Sequence, residues 1–160
     1  MTSPIAKAAR PSVPRRDADG RVVNLTELLG VALVFLVVNG LGVLAIDGLL
    51  ALARLSTFGS ASGWLVLILP GLLYFDDFRA WKAYRLRWLA GPVSALVGIA
   101  LGLSAAGLAS DWPPLASGAI GAVVAVLAFA PVWFLGMRRL TGDWPVPAAE
   151  AAPKRTERRR

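Results

Sequence analysis

Four long stretches without a single charged residue dominate the chain: Leu28 to Ile46, Leu55 to Phe75, Trp88 to Ser110 and Leu115 to Met137. Each holds the ~20 residues that a helix needs to cross hydrocarbon. The pattern predicts an all-α fold, an integral membrane four-helix bundle with four transmembrane helices. Around it, residues 1–23 form a disordered N-terminal tail, residues 24–139 the four-span domain, and residues 140–160 a disordered basic C-terminal tail.

The polar positions between the stretches refine this picture. Residues 1 to about 22 mix Pro, Arg, Asp and Ala with no apolar period, which predicts a mobile segment as far as Asn24. Asn24 with Glu27 three residues later matches a capping box for the first helix. The first stretch follows a long tail and lacks a small-residue cleavage site, so it is expected to stay as an anchor. Asp76 to Trp88 contains neither Gly nor Pro and predicts a short interfacial helix between spans two and three. Tyr74, Phe78, Trp81 and Trp88 would share one of its faces, with Asp76 and Asp77 at its start and the bases following. Pro70-Gly71 and Pro131 are expected to kink spans two and four as a matter of packing, with a small vestibule toward the cytoplasm as the alternative.

Within the apolar stretches, small residues recur at helical spacing. Ser94, Gly98, Gly102 and Ala106 line one face of span three, and Ser117, Gly121 and Ala125 offer a matching row on span four. Lipid provides no hydrophobic force between helices, so such rows work by letting backbones approach. The short turn at Ser110 to Pro114 makes these two spans the expected tightest pair, and homo-oligomerisation through the same row is the alternative use. Asn39 lies ~16 Å from the start of the first span, near the midplane, and Asp47 ~28 Å from it, near the far surface. Both are candidate intramembrane polar groups. For Asn39 the expected role is an interhelical hydrogen bond. For Asp47 it is an interfacial charge that reaches water, or an ion pair with Arg54.

Charge then sets orientation. Lys7, Arg10, Arg15, Arg16 and Arg21 precede the first span, Arg79, Lys82, Arg85 and Arg87 separate spans two and three, and the remaining bases follow span four, apart from Arg54. The positive-inside rule places both termini in the cytoplasm of a cell (plasma or inner) membrane. It also accounts for the net charge of +7 better than affinity for nucleic acid does. Arg79, Trp81, Lys82, Arg85, Arg87 and Trp88 are the candidate contacts for anionic lipid headgroups, or for a membrane or cytoplasmic protein partner.

Candidate chemistry is sparse. The chain has no His and no Cys, which removes the commonest general base, the usual transition-metal ligands and thiol nucleophiles. Asp76 and Asp77 are the only adjacent acids, and neighbouring residues on a helix diverge by about 100°. No catalytic, cofactor or metal site is expected. The function these observations predict is that of a small polytopic, non-enzymatic accessory or interaction protein acting through its basic cytoplasmic face. The alternative is a small transporter or a holin-like pore, in either case able to act as an oligomer.

Overall fold

The computed structural model describes residues 13–17 and 19–142, outside which most of both expected tails lie, and these residues form helices joined by loops and turns, with one short hairpin near the start. Asn24 opens the first helix, α1 (Leu25–Leu52), by accepting a hydrogen bond from the Thr26 N–H at 2.9 Å. Glu27 does not complete a capping box. Its carboxylate instead accepts from the Arg15 N–H at 2.8 Å and pairs with the Arg15 guanidinium at 3.2 Å. Leu28, Ala32 and Leu36 form a narrow buried stripe on α1, while Val34, Val37, Val38 and Leu41 stay exposed. A helix apolar on its outward face as well as its inward one suits hydrocarbon rather than water.

The second apolar stretch, expected to be a span kinked at Pro70-Gly71, divides instead into a loop, a 3-10 helix and an α-helix. Residues 53–62 are loop, Gly63–Leu67 is a 3-10 helix, and α2 (Ile68–Ala80) begins only at Ile68. Two local features explain the break. Gly59 adopts φ +86°, open to glycine but rarely to other residues, and Pro70 falls in the first turn of α2, where a missing N–H costs no helical bond.

The expected interfacial helix is also corrected. α2 carries Asp76 to Ala80 as its last turn, residues 81–86 are turns, and α3 (Arg87–Leu108) takes over at Arg87. Asp76 and Asp77 therefore end a helix rather than start one. α4 (Pro114–Thr141) has Pro at its first position and closes on Gly142 at φ +75°, the left-handed cap that glycine accepts most easily. Of these helices α1, α3 and α4 are long and apolar enough to cross a membrane.

The small-residue rows set the packing. Gly98 and Gly102 of α3 face Ala125 and Gly121 of α4, and a Cβ on Gly102 would stand 2.6 Å from the Gly121 carbonyl oxygen. The same notch admits Trp64 from the 3-10 helix, whose indole would lie 2.8 Å from a Cβ on Gly121. Gly118 meets the Gly63 backbone in the same manner, which the sequence pattern did not indicate. Ser94 is buried and its hydroxyl donates to the Ala90 carbonyl at 2.7 Å; Ala106 lies against Gly121; Ser117 is half-buried, its hydroxyl 3.5 Å from the Pro114 carbonyl. The row that might have served self-association is covered by α4 within one chain.

Candidate functional site

The starts of α1 and α3 and the finishes of α2 and α4 share one end of the protein, and the described basic residues other than Arg54 gather there. Residues 13–17 and 19–23, expected to be mobile, form a hairpin on that end. Asp17 makes the turn: its carboxylate accepts from the N–H groups of Asp19 and Arg21 and from the Arg21 guanidinium at 2.7 Å. Arg16 and Val22 form an antiparallel bridge.

The hairpin inserts Val22, which is 1% exposed. Its N–H donates to Asp77 Oδ1 at 3.0 Å, and its carbonyl accepts from Arg138 Nη2 at 2.7 Å. Asp77 Oδ2 takes the indole N–H of Trp133 at 2.7 Å, and Arg16 stands 4.0 Å away. Arg138 also lies over the Phe134 ring at 5.0 Å. A buried carboxylate near the negative end of a helix is unfavourable on both counts, so Asp77 depends on these donors. Asp77 and Arg138 hold a backbone segment in place.

The predicted contact residues divide. Arg79, Lys82 and Arg85 are exposed, with Arg79 lying 5.7 Å from the Phe75 ring centroid. Trp88 is 67% exposed. Trp81 is buried instead, because the turn after α2 folds it under the hairpin between Tyr84 and the Arg21 guanidinium, the latter 5.0 Å from its ring. Arg87 is half-buried and rests on Phe78 at 4.9 Å and Trp88 at 5.4 Å.

At mid-depth, Asn39 donates its amide N–H to the Leu65 carbonyl at 2.8 Å, satisfying a backbone group of the 3-10 helix. Asp47 is not an interfacial charge in water. It is 1% exposed and accepts from the N–H groups of Gly59 and Ala61 at 2.5 and 3.0 Å, fixing the loop at the opposite end. Arg54 is not its partner; the carboxylate is turned toward loop backbone. Gly59 in turn accepts from the Leu115 N–H at 3.0 Å, linking that loop to the start of α4.

Beside the hairpin end, α2 and α3 diverge and leave an open apolar cleft of about 530 Å³. Pro70, Tyr74 and Phe75 line one wall, Gly91 and Pro92 the other, and Phe129 of α4 the floor. The alternative of a vestibule between Pro70 and Pro131 is not what forms: the cleft pairs Pro70 with Pro92. Phe78 and Trp88 meet edge to face at 5.3 Å across its basic end. Comparison with protein families, with curated proteins and with solved structures returns no match.

Proposed function

We propose that this chain is a four-span membrane protein with both termini in the cytoplasm, a non-enzymatic accessory or interaction protein that works through its basic end. The observation that carries this reading is the charge asymmetry: Arg79, Lys82 and Arg85 are exposed at one end, while Arg54 is the sole described base at the other. Such a bias orients membrane proteins with the basic side in the cytoplasm. The fourth crossing is assigned to the 3-10 helix and α2 together, whose combined rise of ~30 Å includes the charged last turn at the basic surface and leaves ~22 Å, from Gly63 to Phe75, for the hydrocarbon. The polar groups of α1 and α2 support a binding role over transport, since half-buried Asn39 and buried Asp47 and Asp77 each bond to groups of the same chain.

Because the chain has no cysteine, single-site labelling tests orientation directly. Thr57→Cys should react with an impermeant maleimide on intact cells, and Ala83→Cys only after permeabilisation. The reverse pattern refutes the orientation. The interaction role predicts specific co-purification of a partner in mild detergent that is lost when Arg79, Lys82 and Arg85 are all changed to Gln. Substrate-dependent flux in proteoliposomes would replace it with a transporter.

A further inference from the structure

The cleft between α2 and α3 carries an inference that rests on the membrane orientation just proposed and gives the basic end a specific ligand. Its lining is apolar except for the Tyr74 hydroxyl and the Trp88 indole. The Tyr74 hydroxyl is buried and has no hydrogen-bond partner among the described residues. The volume of about 530 Å³ falls within the ~300–1,000 Å³ typical of small-molecule sites. Charge enters at one end only, where Arg87 lies over Phe78 and Trp88, both cleft residues.

Arg87 differs from the other buried or half-buried bases of that end. Arg16 and Arg21 approach carboxylates and Arg138 holds Val22, whereas Arg87 has no carboxylate within ion-pairing distance among the described residues. It makes one long hydrogen bond, to the Phe78 carbonyl at 3.3 Å, and its buried Nε has no partner. A cation at the start of a helix, above an apolar trough, is complementary to a molecule with an anionic head and a hydrocarbon body.

We propose that the cleft binds an anionic glycerophospholipid of the surrounding bilayer, with one acyl chain along the trough and the phosphate on the Arg87 guanidinium. Leu72, Phe75 and Leu96 are exposed on the helices that flank the open cleft, an apolar rim across which a chain enters laterally from the bilayer. The absence of a carboxylate beside Arg87 gives the cationic part of a zwitterionic head no counter-charge, which favours a phosphatidylglycerol-like lipid over phosphatidylcholine.

Native mass spectrometry of the full chain in mild detergent, with phosphatidylglycerol or phosphatidylcholine of identical chains, tests this. One phosphatidylglycerol should be retained in preference to phosphatidylcholine. Arg87→Gln should lower retention about fivefold, the scale of one basic residue at an anionic surface, and Arg54→Gln, which removes the same charge from the exposed opposite end, should leave it unchanged. Gly71→Leu should lower it about as much by filling the trough, because a Cβ at Gly71 meets nothing within 4 Å and the helix tolerates the change. Equal retention of the two lipids, equal effects of Arg87→Gln and Arg54→Gln, or a lipid-free dimer would overturn the site. Cysteine labelling of the same variants reports topology separately. Correct orientation without lipid preference defeats the site alone, whereas reversed orientation defeats the reading beneath it.

Discussion

Val22 is held by both of its backbone polar groups, one by an acid on α2 and the other by a base on α4, and the three residues act as a unit. Truncating Asp77 strands the Val22 N–H and the Trp133 indole N–H in a buried setting. We expect Asp77→Ala to destabilise the folded protein by about 3 kcal/mol or more in detergent unfolding, and Trp133→Phe by ~1.5–3 kcal/mol. The two effects should be non-additive in a double-mutant cycle, because they remove the same bond. Asp47 is the counterpart at the other end. Asp47→Ala removes the acceptor for two loop N–H groups, so faster proteolysis within residues 53–62 is expected, with the rest of the chain unchanged. None of this was legible in the sequence. Asp77 looked like a helix-start residue beside Asp76, and a lone acid near the end of an apolar stretch carries no sign that a loop will fold back over it.

The helices were legible to different degrees, for reasons that lie in their residues. The four-residue rows of α3 and α4 could be read directly, since period alone places Gly98, Gly102, Gly121 and Ala125 on facing stripes. What period could not show was that the glycines also make room for Trp64, a residue from a third element. Gly102→Ala should therefore cost ~1–3 kcal/mol through a clash with Gly121 and Ala125. Gly107→Ala, where nothing lies within 4 Å, should be neutral or stabilising by up to ~1 kcal/mol; the pair of melting curves separates packing from propensity. The second apolar stretch was legible as apolar and as interrupted at Pro70-Gly71, but not as divided ahead of Ile68. Hydropathy does not register that Pro70 belongs to a first turn, or that Gly59 needs a positive φ. The hairpin had a signal that was missed: an Asp-x-Asp-Gly-Arg turn before two valines is turn chemistry followed by strand formers.

At the scale of the whole molecule, the two ends differ in what they offer to a solution partner. The basic end presents Arg79, Lys82 and Arg85, while Arg21 and Arg138 of the same end are withdrawn into the hairpin contacts. Within the described residues, limited trypsin digestion of the folded protein should cut after Lys82 and Arg85 and spare Arg21 and Arg138. Asp77→Ala should then expose Arg21 to cleavage by loosening the hairpin. The hairpin contacts also set the order in which the protein can be completed. Val22 lies 55 residues ahead of Asp77 and 116 ahead of Arg138, and Trp133 follows Asp77 by 56. During synthesis, the acid is therefore made long before its indole donor, and the first helix enters the bilayer before its clamp exists. A nascent chain halted ahead of α4 would display a carboxylate short of its indole donor and a hairpin without its Arg138 clamp, a mark by which surveillance proteases could tell unfinished chains from finished ones.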